Sequence, residues 1–257
     1  MRIAIGIEYD GTAYNGWQLQ RTGLGVQQVL ERALSEVADE AIEVTCAGRT
    51  DTGVHASGQV AHFDTTADRS DRGWLLGANS NLPDDVNVSW AKPVSDEFHA
   101  RFSAVSRSYR YRILNQLVRS SLNRLRAWWV YQDLDHERMH EAAQVLLGQH
   151  DFSAFRAAGC QASTAVRKIS SIRVERDGNW ILLDVTANAF LQHMVRNITG
   201  SLAAVGSGEE DVAWLSAVLD SRDRTQGGVA APPHGLTLVR VLYPEEFAIP
   251  APPALGR

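Results

Sequence analysis

Residues Cys46 to Ala56 read Cys-Ala-Gly-Arg-Thr-Asp-Thr-Gly-Val-His-Ala, and the rest of the chain is organised around this stretch. A short apolar run with an alternating pattern precedes it, and a second apolar run follows it. Two glycines bound a turn between these predicted strands, since glycine adopts backbone angles that other residues avoid. Between the glycines stand one cation, Arg49, and one carboxylate, Asp51. We therefore expect a tight turn that presents both side chains.

Asp51 is the candidate for chemistry in this turn. A carboxylate this close to an arginine is expected to stay ionised, because an opposite charge favours its charged form. Asp51 is therefore a candidate nucleophile or base. The same residue types also form ordinary turns, in which Asp and Thr side chains bond to the nearby backbone. The turn alone leaves both interpretations open.

The composition is that of an ordinary globular protein, with 44% hydrophobic and 21% charged residues in 257. This length suits one large or two medium domains. No apolar run approaches the ~20 residues that cross a bilayer, so no membrane partner is expected. The two cysteines, Cys46 and Cys160, lie far apart without the spacing of a metal site. Together with an N-terminus that reads directly as a strand, they predict a reduced cytoplasmic protein.

A basic stretch departs from the net charge of −5. Residues 98–132 contain no Asp or Glu and carry seven arginines with interleaved aromatic residues. Arginine suits forked contacts to phosphate and stacking on bases, so the stretch favours a polyanionic partner. An arginine-rich dimer interface is the alternative. The arginines are Arg101, Arg107, Arg110, Arg112, Arg119, Arg124 and Arg126.

The first half of the chain has a β-α-β-β-α-β pattern. Residues 2–9 alternate as a half-buried strand does, and residues 26–38 carry one apolar stripe at helical spacing. The strands on either side of the Asp51 turn follow, then a helix over 74–81 and a strand over 86–94. This order is the split βαβ, or ferredoxin-like, pattern with an antiparallel sheet.

The second half reads as a related unit. We predict strands over 109–114 and 128–131, a helix over 135–147, a hairpin over 168–186, helices over 189–205 and 211–219, and a strand over 235–242. The fold class is therefore α+β, with two ferredoxin-like-related halves of antiparallel sheets flanked by helices and a basic RNA-binding cleft between them. The predicted domains are 1–103, which carries the catalytic Asp turn, and 104–246. A Pro-rich tail over 247–257 is expected to be extended or disordered.

The stretch from Ala47 to Ala56 resembles the catalytic signature of the tRNA pseudouridine synthase A family, in which the aspartate is essential. The loop from Asp10 to Gln18 resembles another recurring stretch of that family, although no chemistry is assigned to it. Arg107-Ser-Tyr-Arg-Tyr111 resembles an Arg-x-Tyr-x-Tyr motif whose first tyrosine, here Tyr109, lies in the active site.

Two further motifs follow in family order. Asn188 to Asn197 resembles a stretch whose arginine, here Arg196, approaches the aspartate, which implies a pair between Arg196 and Asp51. On the predicted helix, His193, Arg196 and Asn197 share a polar face. Pro233-His-Gly-Leu236 resembles a motif whose leucine packs beside the target uracil. Many relatives carry an aromatic residue directly after this leucine, where this chain has Thr237.

The resemblance implies isomerisation of uridine to pseudouridine at positions 38–40 of the tRNA anticodon arm, by a homodimer without metal or cofactor. Asp51, Tyr109 and Arg196 are the implied catalytic residues. Two rival hypotheses are a non-catalytic RNA-binding protein and a hydrolase built on Asp51 and a second carboxylate. The implied substrate-binding residues are Arg49, Arg107, Tyr109, Arg110, His193 and Leu236.

Overall fold

The chain divides into two compact units in a computed structural model that describes residues 1–18 and 23–251. Unit 1 consists of Met1–Arg107 together with the residues from Thr237 onward, and unit 2 consists of Ser108–Leu236. The first boundary lies close to the predicted one after residue 103. The second differs from the prediction, because the final strand belongs to unit 1 rather than to the second half.

The elements follow the chain in the predicted order. Those of the first half are β1 (Arg2–Tyr9), α1 (Val26–Ala38), β2 (Thr45–Cys46), β3 (His55–Asp64), α2 (Asp71–Asn81) and β4 (Val86–Val94). Those of the second half are β5 (Ser106–Asn115), β6 (Trp128–Val130), α3 (His136–Ala143), β7 (Gly148–Asp151), β8 (Val166–Asp177), β9 (Trp180–Ala187), α4 (Met194–Ser207), α5 (Trp214–Ser221) and β10 (Leu236–Leu242).

The sheet of unit 1 has β1 at its centre, paired antiparallel with both β3 and β4. The other edge of β3 is shared by two strands. β2 pairs antiparallel near the end of β3, and β10 pairs in parallel with His55 and Ala56 at its beginning. This parallel pairing is the physical reason why the final strand belongs to unit 1. The β-α-β-β-α-β order and the antiparallel sheet confirm the α+β prediction.

The core of unit 1 lies between this sheet and its two helices. The stripe predicted for α1 is buried at Val26, Leu30, Ala33, Leu34 and Ala38. α2 begins three residues earlier than predicted, because the Ser70 hydroxyl accepts a hydrogen bond from the Gly73 amide and caps it. Its Trp74 packs edge-on against Phe63 of β3, with ring centroids 5.1 Å apart.

The sheet of unit 2 has the strand order β5-β9-β8-β7, and β6 adds to β5 in parallel. β8 and β9 form the predicted antiparallel hairpin around Gly178. Helix α3 contacts β8 and α4. Asp135 caps α3, since its carboxylate accepts hydrogen bonds from the amides of Glu137 and Arg138.

Three helix predictions in unit 2 were wrong in their bounds, among them the one over 211–219, which is observed as α5 (Trp214–Ser221). The helix predicted over 189–205 begins at Met194, because His193 has a φ of 61° and this left-handed conformation cannot continue a helix. The helix predicted to run to Leu147 ends as an α-helix at Ala143. The strand β7, which begins at Gly148, was missed.

The start of the predicted tail is ordered rather than extended. Residues Glu245–Phe247 form a short 3-10 helix, and Phe247 packs edge-on against Phe98 at 5.3 Å. The Lys92 ammonium donates hydrogen bonds to the carbonyls of Phe247 and Ala248. Residues 252–257 of the predicted tail lie outside the described residues. Within the described part of the chain, no helix has the length and apolar character that crossing a membrane requires.

Candidate active site

The Asp51 turn is held by hydrogen bonds to the backbone and to a side chain on both sides of Asp51. The Thr50 carbonyl accepts a hydrogen bond from the Trp17 amide at 3.0 Å, and the buried Thr50 hydroxyl shares one with the Tyr9 hydroxyl at 2.8 Å. The Val54 amide donates to the Asp51 carbonyl at 3.1 Å, which closes the turn. Asp51 itself is half-buried, whereas Arg49 is exposed. The structure thus presents the carboxylate and the guanidinium from a fixed backbone.

The loop that carries the Asp10 to Gln18 motif is the support of this turn. The Gly11 amide donates to Nδ1 of the buried His55 at 3.0 Å. A Cβ atom on Gly11 would lie 2.0 Å from the Val54 carbonyl oxygen, and one on Gly16 would lie 2.6 Å from the Thr50 carbonyl oxygen. Both glycines therefore allow the two backbones to touch. No role could be predicted for this motif from the sequence, because its partners lie about forty residues away in the chain.

Arg107 is part of the support as well. Its side chain is buried, with 9% of the residue exposed. Its guanidinium donates hydrogen bonds to the carbonyls of Ala47 at 2.9 Å, Arg101 at 2.6 Å and Ala104 at 3.2 Å. Ala47 stands four residues before Asp51. The described contacts of Arg107 thus fix the backbone that leads into the turn.

Unit 2 holds the tyrosine motif on β5, whose side chains alternate between a buried and a half-buried face. Tyr109 and Tyr111 are buried, and Arg110 and Arg112 on the other face are half-buried. The Tyr109 ring packs edge-on against Phe190, with centroids 5.0 Å apart. The Tyr111 hydroxyl donates to the Pro232 carbonyl at 2.7 Å, and burial raises the Tyr111 pKa far above its usual value. Tyr111 is therefore a packed, neutral side chain.

The start of α4 carries His193 and Arg196. The left-handed backbone of His193 sets the point where the helix begins, and its side chain is half-buried. The Arg196 side chain donates through Nε to the Ala231 carbonyl at 2.8 Å. Asn197, which was predicted to share a polar face with them, is buried: it is 2% exposed and donates to the Phe155 carbonyl at 2.8 Å.

Arg110 has a partner that sequence reasoning missed. Its guanidinium forms a forked pair with the Asp184 carboxylate, at 2.7 Å from Nε and 2.8 Å from Nη2. Hydrogen bonding to Asp184 raises the Arg110 pKa. Asp184 lies on the neighbouring strand β9, 74 residues further along the chain, so only strand pairing brings the two together.

Leu236 stands at the start of β10 and is 5% exposed. The preceding Gly235 is packed so closely on Tyr111 that a Cβ atom there would lie 2.6 Å from the ring. Unit 1 thus holds Arg49, Asp51 and Arg107, and unit 2 holds Tyr109, Arg110, His193, Arg196 and Leu236. Among the described residues, no group of three or more His, Cys, Asp or Glu side chains is placed to hold a metal ion.

Comparison with known proteins identifies the class. The profile of the tRNA pseudouridine synthase family matches residues 5–103 and 142–244. These ranges contain the Asp51 turn, the loop that supports it and the start of α4. The chain therefore belongs to the tRNA pseudouridine synthase family, whose members are isomerases that convert uridine to pseudouridine in tRNA. The family resemblance drawn from the motifs is confirmed.

Individual relatives are similar over nearly the full length. The tRNA pseudouridine synthase A of Pseudoalteromonas atlantica is 57% identical over 250 residues, covering 97% of this chain and 95% of that protein. That of Coxiella burnetii is 55% identical over 252 residues, covering 98% and 97%. That of Hydrogenovibrio crunogenus is 56% identical over 248 residues, covering 96% and 95%.

Solved structures align more weakly. An H/ACA RNP bound to a substrate RNA containing 2′-deoxyuridine aligns at 10% identity with a TM-score of 0.39, covering 78% of this chain and 44% of that one. A Cbf5–Nop10–Gar1 complex aligns at 10% identity with a TM-score of 0.37, covering 92% and 48%. These scores are too low to carry an argument about this chain.

Proposed function

We propose that this chain converts uridine to pseudouridine at positions 38–40 of the tRNA anticodon stem-loop, with Asp51 as the essential catalytic residue. The observation that carries the proposal is the Asp51 turn. A half-buried carboxylate is presented there on a backbone fixed by the Tyr9–Thr50 and Trp17–Thr50 contacts, two residues after the exposed Arg49. Catalysis by positioning requires a group held in this way.

The proposed reaction balances without an external reagent. The bond from ribose C1′ to uracil N1 breaks, the base rotates, and C5 bonds to C1′. C5 then loses a proton, and N1 carries one in the product. Asp51 attacks C1′ through a bond that breaks when C5 bonds to C1′, or stabilises the charge at C1′, or takes a proton from the sugar and returns it at that step. Asp51 or Tyr109 assists removal of the C5 proton. Tyr109 and Arg196, which belong to unit 2, are proposed to act on the same uridine.

Access to the target nucleotide requires base flipping, because a stacked base hides the glycosidic bond. Extruding it costs about a few kcal/mol. We assign to the exposed Arg49 the task of filling the vacated space or holding the flipped nucleotide by its phosphate. Leu236 is proposed to pack beside the uracil, and Arg110 and His193 to contact the RNA. Arg107 contributes to binding by holding the turn that carries Arg49.

The test uses tRNA labelled with tritium at C5 of uridine. Wild type should release tritium to water, and Asp51→Asn and Asp51→Ala should abolish release while leaving urea unfolding unchanged. Asp84→Asn, which alters an exposed carboxylate of the same unit, is the matched control and should retain full activity. Free uracil in place of pseudouridine would support the hydrolase, and an active Asp51→Ala would refute the catalytic assignment.

The same proposal includes a homodimer that acts in the cytoplasm. Both cysteines are free thiols, which suits a reducing compartment, and the substrate class is found there. Sedimentation equilibrium of the purified chain, with and without an anticodon stem-loop, should give the mass of a dimer. A monomer at micromolar concentration that retains full activity would contradict the dimer.

A further inference from the structure

The loop after β4 carries an aromatic side chain that the folded chain leaves uncovered. Phe102 is 75% exposed, more than any other aromatic residue among those described. Exposure of such a ring to water is unfavourable, and complete burial of the Phe side chain would be favourable by about 1.5 to 3 kcal/mol. Phe102 lies in the basic stretch of residues 98–132, which contains no carboxylate of its own.

The ring of Phe102 is held by its neighbours although it is exposed. It lies 4.3 Å from the His99 ring, at an interplanar angle of 33°. His99 is fixed in turn, because its Nδ1 accepts hydrogen bonds from the amides of Arg101 and Phe102, each at 3.2 Å. The Arg101 guanidinium lies 5.6 Å from the centre of the Phe102 ring. An aromatic surface and a cation are thus presented together.

The loop that carries Phe102 is tied to the strand that enters the Asp51 turn. The Arg107 guanidinium donates both to the Arg101 carbonyl and to the Ala47 carbonyl, so one buried side chain joins the two segments. From the interior, the Tyr243 hydroxyl donates to the Ala100 carbonyl at 2.6 Å. Burial raises the pKa of the Cys46 thiol to about 12, and the positive charges of Arg49 and Arg101 both act in the opposite direction. The two cations therefore act on one region of unit 1.

We propose that Phe102 is a stacking platform for an unpaired base of the substrate tRNA beside the target uridine, with Arg101 neutralising the adjacent phosphate. Every base has a π-face that can cover an exposed aromatic ring, and a guanidinium adds charge attraction. A second copy of this chain would cover the ring too. RNA is favoured because the ring lies beside the Arg101 guanidinium, within residues 98–132, which contain no Asp or Glu; Asp96 and Glu97 precede this stretch in the same loop. The proposal rests on the proposed function and adds a positioning residue to it.

The test compares Phe102→Ala, Phe102→Leu and Phe102→Trp with wild type. An anticodon stem-loop with 2-aminopurine in its unpaired loop reports stacking by fluorescence, and single-turnover tritium release at increasing enzyme concentration separates half-saturation from the maximal rate. Leu76→Ala removes an exposed apolar side chain, 49% exposed, on α2 of the same unit and is the matched control. Sedimentation of each variant monitors the oligomeric state, and urea unfolding monitors the fold.

We expect Phe102→Ala to raise half-saturation about 5- to 150-fold, the range that alanine gives at a stacking site, with a maximal rate within about twofold of wild type. Phe102→Trp should bind as wild type and quench the probe. Phe102→Leu should lose nearly as much as alanine, because it keeps apolar bulk without a π-face. Equal half-saturation for Phe102→Ala and Leu76→Ala would overturn the proposal, as would weak binding that follows dissociation of a dimer. Loss of tritium release by wild type itself would instead refute the proposed function.

Discussion

Replacing Arg107 with alanine would remove the guanidinium that joins three backbone carbonyls in unit 1. The Ala47 carbonyl is buried and the other two are partly buried. A buried carbonyl without a partner costs about 1 to 3 kcal/mol, and partly buried ones recover some hydration. We therefore expect a loss of about 2 to 5 kcal/mol from the free energy of unfolding. Since domains of this kind are stable by about 5 to 15 kcal/mol, the variant should still fold.

The same change should lower the rate of the chemical step. Ala47 leads directly into the Asp51 turn, and small displacements of a catalytic group cost up to about 100-fold in rate. We expect single-turnover tritium release at saturating enzyme to fall about 10- to 100-fold in Arg107→Ala. The rate of Arg107→Lys should lie between those of wild type and Arg107→Ala, since an ammonium keeps the charge but cannot fork to three carbonyls.

Urea unfolding followed by circular dichroism measures the stability, and the tritium assay measures the rate. Arg49→Ala is the control, because Arg49 is exposed and should affect RNA binding without changing stability. An Arg107→Ala variant with wild-type stability, weaker tRNA binding and a flatter salt dependence would refute this reasoning. Arg107 would then contact phosphate, as the motif alone implies.

Two further predictions concern charge. Burial, then the charges of Arg2 and His99, lower the pKa of His62 from 6.5 to about 4. The unfolded chain therefore binds a proton at His62 below pH 6.5, whereas the folded chain binds it only near pH 4. As the pH falls through this window, the free energy of unfolding should decrease by about 1 to 2 kcal/mol after allowance for solvent screening. Urea unfolding at pH 7 and pH 5 should show this loss in wild type and a smaller loss in His62→Asn. The asparagine keeps a hydrogen-bond acceptor for the Ala100 amide. Equal losses in both proteins would contradict the assignment of the effect to His62. In the second prediction, Arg124→Ala removes an exposed cation and should reduce the slope of log affinity for tRNA against log salt concentration by about 0.7 to 0.9. Arg110→Ala should reduce this slope less, because Asp184 already neutralises Arg110. Equal slopes for both variants, measured by filter binding, would show that the Asp184 pair opens on RNA.

The elements that sequence reasoning placed well are those whose signal is local. The alternation of residues 2–9, the stripe of α1 and the Asp-Gly-Asn turn of the β8–β9 hairpin depend on spacing alone, and all three are confirmed. The alternation of β5, which separates Tyr109 and Tyr111 from Arg110, follows from the same local period of two residues.

The missed features depend on partners distant in sequence or on a single backbone angle. The pairing of Arg110 with Asp184 and the membership of β10 in unit 1 both require strand pairing across many residues. The late start of α4 depends on the φ of His193, and the residue types around it carry no sign of that angle. For the Asp51 turn, the sequence predicted the exposed cation and the carboxylate but not the Arg107 contacts that hold them.

The pairing of β10 with the beginning of β3 has a consequence for how the protein is made. The ribosome delivers β3 before β10, and the edge of β3 beside His55 and Ala56 has no β10 to cover it until synthesis has passed Leu242. Uncovered strand edges are sites of mispairing between chains. Unit 1 can therefore complete its sheet only after residues Leu236–Leu242 have emerged and closed the edge next to the Asp51 turn.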